Sequence, residues 1–208
     1  MILCANPLAQ FQSYQAEIEE AVLTVMRGNR YVLGDEVFSL EQEFADYIGT
    51  TTAVGVANGT DAIELSLRAL DIGANDEVIT VSHTAVATVA AVEAVGASPV
   101  LVDVESQFYT LNPFQLEEVT TAKTKAVIVV HLYGQAGNME EIKSFCSKHS
   151  LFLIEDVSQA HGAKYNGKRL GSIGDIGCFS CYPTKNLGAI GDAGLITTNN
   201  TNLATKIR

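Results

Sequence analysis

The sequence predicts an α/β domain built on a mostly parallel, seven-stranded sheet sandwiched by helices. Three observations carry this. Short apolar runs alternate with helix-patterned segments from residue 53 onward. Those runs are apolar almost throughout, as strands buried on both faces are. Polar and titratable clusters follow the ends of several runs, which is where ligands bind in sheets of this kind.

In chain order, residues 14–27 set Ile18, Ala21, Val22 and Val25 on one helical face with acids between them. Gly28 to Gly34 interrupt that spacing, and residues 36–48 resume it through Val37, Leu40, Phe44 and Tyr47 before Gly49. Both helices carry acids outward, the usual mark of a solvated face. Strands are expected at 53–57, 78–81, 99–102, 126–130, 151–155, 176–180 and 193–197, and helices at 61–70, 85–95, 113–120 and 139–149. The last two strands follow each other without a clear helix, so that end of the sheet is open to antiparallel pairing. No repeat, low-complexity tract or Pro/Ser-rich linker is visible; residues 1–30 read as a helical segment and 31–208 as the domain proper.

Bulk properties narrow the function. With 208 residues, 47% hydrophobic and 18% charged, the chain has the composition of a globular domain with a sizeable core. A formal net charge of −11 argues against nucleic acid and anionic membranes as partners. A bound phosphate would therefore have to be held locally, by backbone N–H groups and hydroxyls. No apolar run approaches a membrane span, and the start, Met1 to Pro7, lacks the basic and apolar regions of a signal peptide, which implies a cytoplasmic protein. Asn58-Gly59-Thr60 and Asn199-Asn200-Thr201 match glycosylation sequons but then read as turns. Cys178 and Cys181 form a Cys-x-x-Cys, yet Cys4 and Cys146 do not complete a zinc spacing, so all four read as reduced thiols and no metal is expected.

The residues after each strand carry the chemistry. Gly59-Thr60-Asp61 opens a helix whose free N–H groups suit a phosphate, with simple N-capping by Thr60 or Asp61 as the alternative. His83 could stack on a planar ring or act as a base, or be structural. Asp156 could pair with a protonated ring nitrogen, hold a metal or cap a turn; Gln159 and His161 are similarly open. Ser180 could donate to a phosphate or lie within the sheet. Lys185, just past a strand, could form a Schiff base or be a surface residue. Gly-x-Gly occurs nowhere, so the dinucleotide fingerprint is missing, as are the Walker pattern and the Gly-x-Ser-x-Gly elbow.

Taken together, Asn58-Gly59-Thr60-Asp61-Ala62, Ser82-His83-Thr84-Ala85, His131-Leu132-Tyr133-Gly134-Gln135, Glu155 to Gly162 and Phe179-Ser180 to Gly188 give the chain a resemblance, from about Tyr31 onward, to the DegT/DnrJ/EryC1/StrS nucleotide-sugar aminotransferases. The resemblance implies pyridoxal 5'-phosphate (PLP) as cofactor and the large domain of PLP fold type I. It assigns the Schiff base and proton transfer to Lys185, the pyridinium nitrogen to Asp156 and ring stacking to His83. Gly59, Thr60, Asp61 and Ser180 would hold the phosphate, and Gln159 would lie on the phenolic-oxygen side. It implies a homodimer that moves nitrogen from an amino acid, glutamate foremost, to a nucleotide-linked keto-deoxysugar in deoxyaminosugar biosynthesis. The 82–89 run is similar to the branch acting on dTDP-linked 3-keto-6-deoxyhexoses; many 4-keto relatives have a bulky aromatic where His83 stands. Sugar dehydratases of the superfamily carry histidine in place of the lysine, so Lys185 speaks against that reading. A non-catalytic protein that binds a partner through its acidic helices is the other alternative. The family also continues into a smaller C-terminal domain, so the chain is expected to be truncated.

Overall fold

The computed structural model describes residues 5–208. Met1 to Cys4, the stretch read for a signal peptide and for a possible zinc ligand, lies outside the described residues. Two helices, α1 (Pro7–Ser13) and α2 (Gln15–Arg27), precede α3 (Asp35–Ile48). Neither α1 nor α2 buries a residue, so the apolar stripe of α2 stays accessible.

A sheet of seven strands follows, in the order β1 (Thr52–Val56), β9 (Gly194–Thr198), β8 (Ile176–Ser180), β5 (Phe152–Asp156), β4 (Thr124–Val130), β2 (Glu77–Val81) and β3 (Ser98–Val102). The pairs β8–β5, β5–β4, β4–β2 and β2–β3 are parallel. β9 runs antiparallel to both β1 and β8, as the missing helix before it allowed. Helices α4 (Gly59–Ala69), α5 (Val86–Ala94) and α7 (Met139–His149) supply the crossovers. The stretch 113–120 is a 3-10 turn (Pro113–Gln115) leading into a short helix, α6 (Leu116–Val119). A small hairpin, β6 (Lys164–Tyr165) with β7 (Lys168–Arg169), and a final helix, α8 (Thr201–Ile207), carry no clear signal in the sequence.

The continuous apolar runs bury both faces. On β8, Ile176 and Cys178 enter the main core with Ile63, Leu67, Val127 and Ile154. The intervening Phe179 enters a second core under α3, where it meets Phe44 edge-on at 4.9 Å. Cys178 and Cys181 accordingly belong to different cores, and both are free thiols that burial pushes to higher pKa. Split between two cores, the pair does not form a disulfide, and among the described residues neither thiol is bonded to another cysteine.

One buried carboxylate ties the strand-end loops together. Glu155, at the end of β5, is fully buried. Its Oε1 accepts the amides of Ile173 (2.8 Å) and Gly174 (2.7 Å). Its Oε2 accepts the amide of Gly171 (2.9 Å) and lies 3.2 Å from His131 Nε2. The amide of Gly137 donates to His131 Nδ1 (3.1 Å), which puts the imidazole proton on Nε2 and makes the ring a neutral donor to Glu155. Burial by itself would raise the Glu155 pKa; the donors from His131, Gly171 and Gly174 outweigh it and hold the value below the ordinary 4.5. The stabilisation is therefore fully present above the ordinary glutamate range and is lost as pH falls through the lowered value. Glu155→Gln, which turns an amide N–H toward these donors, should cost about 3 kcal/mol in urea unfolding. The variant should also lose stability less steeply than the parent on acidification below pH 4.5.

Candidate active site

The C-terminal ends of β1, β5 and β8 enclose a cleft of about 280 Å³. Six of the eight expected residues line it: Gly59, Thr60, Asp156, Gln159, Ser180 and Lys185. Asp61 and His83 do not.

The start of α4 forms one wall. Asn58, rather than Thr60 or Asp61, is the cap: its Oδ1 accepts the Asp61 amide at 2.8 Å. That amide is thereby committed, and the amides of Gly59 and Thr60 are left without a protein acceptor among the described residues, where they form the positive end of the helix dipole. Gly59 is required by close approach. A Cβ there would sit 2.6 Å from Ser180 Cβ and 3.3 Å from Ser158 Oγ, so the helix start and the end of β8 can meet only at glycine. This brings two amides and two hydroxyls together. Ser180 Oγ accepts the Tyr182 amide at 3.3 Å, which leaves its proton for a ligand. In a protein with a net charge of −11, this donor group suits a phosphate.

Asp156 forms the opposite side. Only 5% exposed, it accepts the Ser158 amide on Oδ1 (3.1 Å) and the Thr88 hydroxyl on Oδ2 (3.0 Å). Gln159 uses its Oε1 to accept the Tyr133 amide (3.1 Å), so its Nε2 donors remain for the cleft. Tyr133 adopts a left-handed backbone (φ 57°) that a tyrosine rarely takes, and this grip helps to hold it. His83 is exposed and meets the Tyr133 ring edge-on at 5.9 Å, at the mouth of the cleft rather than on its wall.

Lys185 stands in the loop between β8 and β9. Its amide donates to Tyr182 O (2.8 Å), and the loop is closed by Cys181 N–H to Ala193 O and Ala189 N–H to Cys181 O, both 2.8 Å. His161 lies behind this loop, its ring 5.5 Å from that of Phe179, and both its ring nitrogens are buried without a hydrogen-bond partner. Burial lowers its pKa, and the neighbouring Lys185 charge adds to this. Sequence reading missed Asn58 as the cap, Ser158 beside Gly59, and Thr88 behind Asp156. Asn58 alone had a signal, an Asn followed by Gly-Thr-Asp at a strand end. Among the described residues no group of three or more His, Cys, Asp or Glu converges as a metal site, and no helix is long and apolar enough to cross a membrane.

Comparison with known proteins gives a consistent picture. The model of the DegT/DnrJ/EryC1/StrS aminotransferase family matches residues 12–208, beginning before Tyr31, where the motif resemblance starts. The chain is 51% identical over 194 residues to a dTDP-3-amino-3,6-dideoxy-alpha-D-galactopyranose transaminase of Aneurinibacillus thermoaerophilus, a match that covers 93% of this chain and 53% of that relative. It superposes on DesV of S. venezuelae, solved in complex with a ketimine intermediate, with a TM-score of 0.97 at 42% identity, covering 100% of this chain and 56% of the other. NtdA of Bacillus subtilis, solved with bound cofactor PMP, gives a TM-score of 0.85 at 33% identity over 92% of this chain and 44% of its own. The chain thus spans about half the length of these relatives.

Gly59→Ala should drive α4 away from Ser180. The expected loss is about 1–3 kcal/mol in urea unfolding; inorganic phosphate should raise the melting temperature of the parent and not that of the variant.

Proposed function

Because this chain belongs to the DegT/DnrJ/EryC1/StrS aminotransferase family, we propose that its cleft holds PLP. In this reading the protein transfers nitrogen from an amino acid, with glutamate as donor, to the keto carbon of a dTDP-linked 3-keto-6-deoxyhexose. One observation carries the proposal: an anion-ready helix start, a buried carboxylate and a lysine share one cleft. The residues fit the cofactor, since the close approach at Gly59 brings the free amides of the helix start beside the Ser180 hydroxyl, a donor set that matches a phosphate. The relatives support the rest, being named for a dTDP-amino-sugar product in one case and for bound PMP in another.

The cofactor supplies an aldehyde that condenses with amines and a ring nitrogen that, when protonated, draws electrons from the reacting carbon. The Gly59 and Thr60 amides and the Ser180 hydroxyl would hold the phosphate; Asp61, its amide committed to Asn58, would act only through its place in the first turn. Asp156 would accept the ring N–H and so favour its protonated form. Gln159 would offer Nε2 to the phenolic oxygen, and His83 would stack on the ring. Lys185 would anchor the aldehyde carbon through its Nζ, and the same Nζ, when free, would serve as the base for the proton at the substrate's reacting carbon.

Residues 31–208 are the cofactor-binding large domain in this reading, with residues 1–30 as a helical segment before it. The protein works as a homodimer; Val32 and Phe38, 79% and 70% exposed, support a partner on that side.

Borohydride reduction of the PLP-treated chain should leave one phosphopyridoxyl group on Lys185, read by peptide mass, and none in Lys185→Ala. A folded parent that traps no cofactor there would sink the proposal. Glutamate should convert bound PLP to pyridoxamine phosphate. Offered 3-keto and 4-keto dTDP-deoxysugars, the loaded protein should aminate the 3-keto compound; a deoxygenated product would point instead to a dehydratase.

A further inference from the structure

We propose that Thr88 is a positioning residue for Asp156, fixing the carboxylate in the orientation that the cleft needs. The inference rests on the reading of Asp156 as acceptor for a ring N–H. Thr88 lies in the first turn of α5 and is fully buried. Its Oγ1 is 3.0 Å from Asp156 Oδ2 and 2.9 Å from Thr84 Oγ1.

The polarity of this chain follows from proton counting. An ionised carboxylate can only accept, so Thr88 donates to Asp156. That uses the single proton of Thr88, and Thr84 must then donate to Thr88. The chain runs from Thr84, which lines the cleft, through Thr88 to the carboxylate. The opposite polarity would need a protonated Asp156, which would turn an O–H toward its surroundings. With Ser158 N–H on Oδ1 and Thr88 O–H on Oδ2, each oxygen has one protein donor and retains a lone pair.

The two donors differ in kind. The Ser158 amide is two residues along the chain and belongs to the same local turn as Asp156. Thr88 arrives from a different crossover, 68 residues earlier, and so ties the carboxylate to the far wall of the cleft. Sequence context agrees: α5 reads Val-Ala-Thr-Val-Ala-Ala-Val-Glu-Ala, and Thr88 is the one hydroxyl in an otherwise mainly aliphatic helix. Packing alone would be served by valine, which has the same shape.

The test uses Thr88→Val, with Thr88→Ala as a second variant and Thr88→Ser as the conservative one, in the full chain. In the unloaded protein, hydrogen exchange of the Ser158 amide reports whether Asp156 still sits at its post. Thr88→Val and Thr88→Ala should speed that exchange, and Thr88→Ser should restore it. With PLP carrying 15N in the ring, Thr88→Val should weaken binding about tenfold. It should also move the ring-nitrogen signal toward its unprotonated position, and serine should reverse both changes. Parental Ser158 exchange and ring-nitrogen signal in Thr88→Val, or a serine variant that behaves like valine, would overturn the inference. If the parent chain takes up no PLP, the reading of the cleft fails by itself, and Ser158 exchange still decides the role of Thr88.

Discussion

Glu155 is the constraint on which the cleft depends. A carboxylate with no solvent would be costly on its own, yet here three backbone amides and one imidazole converge on it. Those donors belong to two loops distant in sequence. The Gly171 to Gly174 turn precedes β8, and His131 opens the segment that leads to Tyr133 and Gln135. Because side chains alternate along a strand, the residue after Glu155 faces the other way. Asp156 therefore emerges at the cleft with its backbone fixed from behind, its carbonyl accepting the His131 amide at 3.0 Å. The backbone at the cleft edge is fixed by a group that does not line the cleft.

Electrostatics follow the same local logic. The protein carries excess negative charge, and Asp156 and Asp192 line the cleft too, but the helix start beside Ser180 gathers N–H and O–H donors. Backbone amides at a helix start can hold an anion whatever the net charge, because they act over one or two bond lengths while distant surface charges are screened. Gly59 makes this possible by letting α4 reach Ser180, so the fit between helix and strand and the fit to a phosphate are one and the same contact.

The layered α/β architecture and its sheet were legible because buried parallel strands leave continuous apolar runs, and the strand-end residues were legible because the architecture names where to look. Local details were less so. Asn58 was passed over as the cap because Thr60 and Asp61 are equally good capping types, and only backbone geometry distinguishes them. The Lys164–Arg169 hairpin is too short to produce a period. The stripe Ile18, Ala21, Val22 and Val25 gave a correct helix, but periodicity does not say what covers the stripe. Thr88 and Glu155 escaped notice for a common reason. Their importance lies in donors that arrive from residues far away in sequence, and no local pattern records such a pairing.

The position of Lys185 follows from topology more than from its neighbours. In a parallel sheet, each strand that ends at the cleft edge hands the chain to a crossover that carries it to the opposite edge. β8 is the exception: the next strand, β9, is antiparallel and begins where β8 ends, with Ser180 paired to Gly194. Residues 181–193 must leave and return at the same edge, and the bonds Cys181 to Ala193 and Ala189 to Cys181 draw the loop shut. A lysine in a crossover would be carried away from the cleft edge; a lysine in this closed loop stays on the segment that leaves and returns there. The single reversed strand thus converts an exposed loop into a fixed platform, held on one side by Gly59 against Ser180 and on the other by Asp156 on the adjacent parallel strand.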